Sequence, residues 1–286
     1  MNYIVISPYY PENFQQFTIE LANKGIRVFG IGQEPYEQLG PGLQNALTEY
    51  FRVDNLENLD EVKRAVAFLF YKHGPIDRIE SHNEYWLEQD AQLREQFNIF
   101  GAKPNDLKKT KFKSEMKKLF QKAGVPVVPG QVVRKLSDVD QAVKKIGLPL
   151  IAKPDNGVGA AATFKIETSA DVEHFKAEWD QETVYFFEKF VTSSEICTFD
   201  GLIDSEGNIV FSTTFDYAYT PLDLMLYKMD NSYYILKEMD PKLRAYGEAI
   251  VQAFGMKERF FHIEFFRQDG DYIAIEYNNR PAGGFT

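Results

Sequence analysis

A change of rhythm divides this sequence. Up to about residue 100, short apolar runs alternate with amphipathic stretches: YIVIS, helical spacing from Glu12 to Lys24, IRVFGI, a helix around residues 57–72, and IDRIES followed by EYWLEQDAQLREQF. Alternation of strand and helix predicts a parallel sheet with helices on its faces. From Thr183 onward strand follows strand instead: TVYFFEKFV, EICTFDGLI, NIVFSTTF, one helix near residues 240–254, and a closing hairpin, with turns at DSEGN and QDGD. That pattern predicts antiparallel meanders. Between the two regimes, residues 106–123 predict one helix, with Phe112, Met116, Leu119, Phe120 and Ala123 on one face and Gly124 just past its end. A second helix, with Ser137 as cap, Asp140 three positions on and Gly147 at its end, leads into the strand LPLIAK. The expected fold class is α/β and α+β: a parallel α/β domain over residues 1–100, a small lobe over 101–187 and a strand-rich lobe over 188–286.

Composition narrows the partners. With 286 residues, 44% of them hydrophobic, the chain can bury a substantial core. A net charge of −10 without any run of five like charges opposes a nucleic-acid groove or an anionic membrane surface. The single cysteine, Cys197 in EICTFDG, excludes an internal disulfide, reads as a packed residue and fits a reducing compartment. The start, MNYIVISPYY, has no basic leader, and no stretch approaches 18 apolar residues, so a cytoplasmic location is expected. The first strand runs into SPYYPENF rather than a glycine fingerprint, which leaves a dinucleotide Rossmann site without support.

The closing hairpin, HIEFFRQDGDYIAIEYNNR, carries the chemistry. Side chains alternate faces along a strand, so His262, Glu264 and Phe266 share one side, and Glu276, Asn278 and Arg280 share one side of the return strand. A three-residue loop, Gln268-Asp269-Gly270 with its glycine left-handed, brings Glu264, Glu276 and Asn278 onto one surface. Two carboxylates and an amide oxygen hold such positions when a cation is bound between them. All-oxygen donors indicate Mg²⁺ or Mn²⁺ carrying phosphate oxygens, and Arg280 adds a bidentate phosphate or carboxylate contact. Taken alone, the hairpin also fits a solvated face or a pair of glycosidase carboxylates.

Upstream, Lys153 ends a strand as IAKP and is followed by DNGVGAAA before the strand TFKI. Small residues let backbone N–H groups approach phosphates, and a lysine at the strand end supplies a point charge. Strand-loop-strand order separates this from a Walker A loop. Lys113, on the helix that opens the same lobe, reads equally as a surface lysine, and FFEKFVTSSE reads either as an ordinary strand with alternating charges or as backbone groups for an adenine edge with Glu195 placed for ribose hydroxyls. Tyr9, Tyr10 and Asn13, and Ser81 to Glu84, sit at strand ends where a ligand can lie; Glu84 suits either an ammonium partner or a helix start beside the cap Asn83.

In order, Lys113, Lys153, NGVG, EKFV, Glu195, Glu264 and Glu276-Tyr-Asn278-Asn-Arg280 resemble the ATP-grasp superfamily, specifically its carboxylate-amine ligase branch, over roughly residues 100–286. The segment before them looks like the pre-ATP-grasp domain of these enzymes, followed by a two-lobed ATP-grasp fold. The resemblance implies ATP and Mg²⁺ (or Mn²⁺) as cofactors. It places Lys113 and Lys153 on nucleotide phosphates, with the loop from Asn156 through Gly157 and Gly159 closing over them. Adenine falls to Glu188 and the backbone of Lys189 and Val191, and ribose to Glu195. Glu264, Glu276 and Asn278 become metal ligands, and Arg280 with Lys153 the catalytic cations. The implied reaction activates a carboxylate as an acyl phosphate and transfers it to an amine. Implied partners are small-molecule carboxylates and amines, amino acids among them, and a homodimer is compatible with the family.

Two departures qualify the match. The loop reads NGVGAAAT where many relatives carry a serine and another glycine, and relatives continue past RPAGGF, so the large lobe is expected to be incomplete at Thr286. Two further readings therefore stay open: a bicarbonate-using enzyme like carbamoyl phosphate synthase, and a nucleotide-binding module without turnover.

Overall fold

The computed structural model describes residues 1–156, 162–192, 195–219, 228, 230 and 232–283. The chain separates into two compact units, residues 1–107 with 280–286, and residues 108–279.

The first unit is built on a parallel sheet. Its strands are β1 (Asn2–Ile6), β2 (Arg27–Gly32), β3 (Leu47–Arg52) and β4 (Arg78–Glu80), in the order β3-β2-β1-β4. Helices α1 (Gln15–Asn23), α2 (Gly40–Ala46), α3 (Leu59–His73) and α4 (Leu87–Gln96) connect or follow them. The alternating rhythm thus produced the sheet it predicts, with β3 and α2 as elements that the apolar pattern did not reveal. Helix α3 shows why such a segment is helical. Asn58 caps its start by accepting from the Asp60 N–H, and Val62, Ala65, Val66 and Leu69 bury one stripe; Gly74, at φ +86, ends it. That stripe packs on Ile4, Ile6, Phe29, Ile31 and Ile79 of the sheet.

Helix α5 (Pro104–Lys111) leads into the second unit, where α6 (Lys113–Lys122) begins after one extended residue, Phe112, at φ −88 and ψ 117. The single helix predicted over 106–123 is therefore two. The interruption has a distant cause. Asp155 accepts from the Ser114 N–H through Oδ1 and from the Ser114 hydroxyl through Oδ2, both at 2.8 Å, while its backbone carbonyl accepts from the Lys113 N–H at 2.8 Å. A buried carboxylate thus caps α6 from outside its own segment, satisfying donors that every helix start leaves open.

The small-lobe sheet has strands β5 (Gly130–Val133), β6 (Leu150–Pro154), β7 (Phe164–Ile166) and β8 (Tyr185–Lys189), in the order β5-β8-β6-β7, with every pair antiparallel. Helices α7 (Leu136–Ile146) and α8 (Ser169–Glu178) cover it through Val139, Ala142, Val172 and Phe175. Helix α7 starts before the expected cap at Ser137: Asp138 instead accepts from the Arg134 N–H at 3.0 Å, and Gly147 ends the helix at φ +76 as expected.

The large-lobe strands are β9 (Ile196–Ile203), β10 (Ile209–Thr213), β11 (Phe215–Tyr217), β12 (Tyr233–Ile235), β13 (Arg259–Gln268) and β14 (Asp271–Asn278). They form the order β12-β11-β9-β13-β14, with β10 also on β9 and all pairs antiparallel. Helix α9 (Pro241–Phe254) packs on one face. A Cβ at its Gly247 would lie 2.2 Å from the Phe199 ring, and Phe254 stacks on Tyr277 with centroids 4.2 Å apart. Cys197 is fully buried on β9, and burial pushes its thiol up to about 12, as fits a packed residue.

The β13–β14 hairpin corrects the turn prediction. The loop holds two residues, Asp269 and Gly270, at φ +52 and +75, and Gln268 pairs with Asp271. That register alone would set Glu264 opposite an odd-numbered residue. Between the pairs Phe265–Ala274 and Glu264–Glu276 one extra residue, Ile275, is inserted on β14 as a bulge, and it restores the pairing of even with even.

Removing the Asp155 carboxylate should test the cap on α6. Asp155→Ala is expected to lower unfolding free energy by about 1–2 kcal/mol, read as a shifted urea midpoint at constant slope, with Asp155→Asn losing less. An unshifted midpoint would show that α6 starts without this cap.

Candidate active site

Because β9, β13 and β14 are neighbours, their alternate residues form a grid on the sheet face away from Phe199 and Tyr277. One row is Asp200, His262 and Asn278, and the next is Thr198, Glu264 and Glu276. All six are polar, and Thr198, Asp200, His262 and Asn278 are buried. His262 lies between two carboxylates, with Nδ1 2.6 Å from Asp200 Oδ1 and Nε2 3.1 Å from Glu264 Oε1. Burial disfavours the imidazolium, but the two carboxylates outweigh it and push the ring up to about 9.

Helix α6 delivers cations to this region. Lys113, at its first turn, places Nζ 3.3 Å from Glu276 Oε1. One turn on, Lys117 points from the same face and pairs with Glu188 Oε1, while Lys153 Nζ lies 3.5 Å from Glu188 Oε2. Burial works to raise the Glu188 carboxyl. The ammonium groups of Lys117 and Lys153 overcome it and hold the group below its ordinary value. Opposite charges therefore run from the large-lobe sheet to the small-lobe sheet along α6: Glu276, Lys113, Lys117, Glu188, Lys153.

The structure brings together Lys113 with Glu276, Glu264 with Glu276 across the hairpin, and Lys153 with Glu188. Asn278 sits in the next row, opposite His262. Lys189 Nζ donates to the Leu148 carbonyl at 2.9 Å and its N–H to the Pro129 carbonyl at 3.0 Å, so its side chain braces the small lobe. Val191 follows, half-buried. Glu195 lies 3.8 Å from Arg267, whose guanidinium also holds Asp216 at 2.9 Å. Asn156 is exposed in the turn after β6, and Gly157 and Gly159 lie outside the described residues. Arg280 belongs to the N-terminal unit, where its Nε donates to Glu84 Oε2 at 2.9 Å. Glu84 thus has a guanidinium partner, while Asn83 accepts from the Tyr85 N–H as a cap.

Sequence reasoning passed over Lys117, Asp155, Thr198 and Asp200. Lys117 was legible as the i+4 partner of Lys113, and Thr198 and Asp200 as same-face residues in the strand TFD.

Whether the sheet face suits a divalent cation can be judged from its donors. Glu264, Glu276 and Asn278 supply oxygen alone, and the buried Asn278 Nδ2 has no hydrogen-bond partner among the described residues. An amide nitrogen left without a partner marks an end of the side chain that, with the amide turned over, would present its oxygen there. Among the described residues no three His, Cys, Asp or Glu side chains converge as a metal cage. Two carboxylates with one amide oxygen, Glu264, Glu276 and Asn278, form a partial oxygen set of the kind Mg²⁺ takes, its remaining positions going to phosphate oxygens and water.

Residues 145–286 match the family described as the ATP-grasp domain. Over those residues this chain carries an ATP-grasp domain. It is 26% identical over 290 aligned residues to the L-arginine-specific L-amino acid ligase of Bacillus subtilis, an alignment covering 96% of this chain and 67% of that one. The L-amino acid ligase of Bacillus licheniformis has a similar fold, with TM-score 0.71 and 16% identity over 98% of this chain and 66% of that one. So does the biotin carboxylase domain dimer of Hydrogenobacter thermophilus 2-oxoglutarate carboxylase, solved with MgADP, ADP and bicarbonate: TM-score 0.72, 18% identity, 98% of this chain and 64% of that one. The chain thus spans about two thirds of the length of these relatives.

Replacing Glu188 by Gln leaves two ammonium groups facing a neutral amide in a buried setting. Glu188→Gln is expected to cost about 3 kcal/mol near neutral pH. Because the native carboxyl titrates below its ordinary 4.5, the wild-type advantage is complete above that pH and is lost as pH falls through the lowered value. Urea unfolding of both proteins across acidic pH checks the size and the sign. A gap that widens on acidification would contradict the pairing.

Proposed function

We propose that this protein is an ATP- and Mg²⁺-dependent ligase that activates a carboxylate as an acyl phosphate and transfers the acyl group to an amine, with amino acids as the substrate class. The observation that carries this reading is the meeting of Lys113 with Glu276, which sets a phosphate-binding cation 3.3 Å from a carboxylate suited to the phosphate-bound metal. The substrate class is supported by the likeness to the L-arginine-specific L-amino acid ligase.

In this assignment Lys113 and Lys153 hold the nucleotide phosphates, with the segment from Asn156 through Gly157 and Gly159 contributing backbone N–H groups. The Glu188 carboxylate is already shared by two lysines, so its part is to hold Lys153 extended; the adenine edge falls to backbone of Lys189 and Val191, and the ribose to Glu195. Glu264, Glu276 and Asn278 would hold Mg²⁺, which neutralises charge on the phosphates and fixes their geometry when bound. The acyl donor's carboxylate oxygen attacks the γ-phosphorus, the bond to the β-phosphate oxygen breaks, and ADP leaves. The amine then attacks the acyl carbon, phosphate departs, and the amine gives up a proton. Phosphoryl transfer asks the protein for positioning and charge compensation, which Lys113 and Lys153 supply without a nucleophilic side chain. The proposal extends to a cytoplasmic setting, with no helix among the described residues long and apolar enough to cross a membrane. It extends also to a homodimer, as in the biotin carboxylase domain above.

ADP release with Mg²⁺ and ATP, screened against pooled amino acids and small carboxylic acids with bicarbonate apart, should depend on an amino-acid pool. Turnover with bicarbonate alone would favour the carboxylating relatives' chemistry, and nucleotide binding without turnover in any pool would reject the ligase. Lys153→Ala should weaken ATP binding about 10- to 100-fold by calorimetry, the worth of one charge-assisted phosphate contact. Unaltered affinity would remove Lys153 from the phosphates.

A further inference from the structure

The six-residue grid holds more than a metal site requires. Glu264, Glu276 and Asn278 account for the proposed cation, whereas His262, Asp200 and Thr198 are buried polar groups that an apolar residue could replace on packing grounds alone. Their hydrogen bonds form one directed chain. The Phe215 N–H donates to Thr198 Oγ1 at 3.2 Å, and the Thr198 hydroxyl donates to Asp200 Oδ2. Asp200 Oδ1 accepts from His262 Nδ1 at 2.6 Å, and His262 Nε2 reaches Glu264 Oε1 at 3.1 Å. The chain starts on the backbone of β11 and ends on a carboxylate assigned to the cation.

We propose that His262 is a positioning residue for cation binding: braced by Asp200, it fixes the Glu264 carboxylate through Oε1 so that Glu264 meets the divalent cation from a preset position. This rests on the reading of Glu264 as a metal ligand. The physical gain is twofold. Glu264 stands directly opposite Glu276, and the hydrogen bond from His262 opposes the repulsion between the two carboxylates at Glu264, as the Lys113 ammonium does at Glu276. A glutamate also loses rotamer freedom when it binds a metal, and a hydrogen bond made beforehand removes that cost from the binding step. Side chains that orient metal ligands in this way typically change metal affinity about 10- to 100-fold when removed.

Asn and Gln at position 262 separate this role from a merely structural one. The shorter amide of His262→Asn stays near Asp200 but falls short of Glu264, whereas His262→Gln can reach Glu264 and gives up Asp200. Mn²⁺ binding to the full chain with ADP, followed by the loss of the free-ion EPR signal, is the readout; ADP affinity without metal serves as the control. His262→Asn should lose about tenfold or more in Mn²⁺ affinity, with metal-free ADP affinity unchanged, and His262→Gln should recover most of it. An Asn variant within about twofold of wild type, or a Gln variant weaker than Asn, would overturn the proposal. Should His262→Asn fail to fold, the near-isosteric Asp200→Asn decides: a several-fold loss is expected, and undiminished Mn²⁺ affinity overturns it. Glu276→Gln tells the two readings apart. If it binds Mn²⁺ as wild type does, the metal assignment itself fails; if it loses Mn²⁺ while the position-262 and position-200 variants do not, only the role of His262 falls.

Discussion

Asp155 fixes the start of α6, and through α6 it fixes the charges that join the two lobes of the second unit. Its carboxylate and carbonyl together occupy the Ser114 N–H, the Ser114 hydroxyl and the Lys113 N–H. A helix begun one residue earlier or later would rotate its side chains by about 100°, since there are 3.6 residues per turn. Lys113 and Lys117 would then leave the face they share, and Glu276 and Glu188 would each lose a partner. Two residues after Lys153, the same strand end that carries a proposed phosphate lysine also sets the phase of the helix carrying the other.

That coupling explains how the small lobe tolerates Glu188. A carboxylate this buried is unfavourable alone, and one lysine would barely offset its desolvation. Two lysines hold its two oxygens, Lys117 from the helix and Lys153 from the adjacent strand. The cluster carries one net positive charge, located near the end of β6. An anionic phosphate is the complement of that arrangement, and a cluster balanced to zero would attract it less.

What the sequence revealed and concealed follows from the range of each interaction. The βαβ order, the antiparallel meander and the sharing of one side by residues of the same strand rest on side-chain periodicity, which is local and legible. The helix break at Phe112 is not, because the capping carboxylate lies 41 residues from Ser114. The hairpin shows the limit most clearly. Its carboxylates face each other as the expected three-residue loop would make them, but the turn is two residues and a bulge at Ile275 supplies the compensating shift. Either device gives the same parity at the site, so facing residues alone could not tell them apart. The strand β3 escaped notice because LTEYFR keeps no clean alternation: its burial is partial along most of its length.

The same strand, β13, serves packing and chemistry by its two faces. Phe261, Ile263 and Phe265 are fully buried on the side of α9, and His262 and Glu264 alternate with them on the other. The polar face inherits its rigidity from the apolar one. At Gly247 the helix comes so close to Phe199 that a side chain there would drive α9 off the sheet, and Phe199 is the cross-strand partner of Ile263. A shift at that contact would move the backbone carrying His262 and Glu264. Hydrogen-bond lengths such as the 2.6 Å between His262 and Asp200 tolerate little displacement before they weaken. Close packing behind the sheet is therefore part of what holds the carboxylates in front of it.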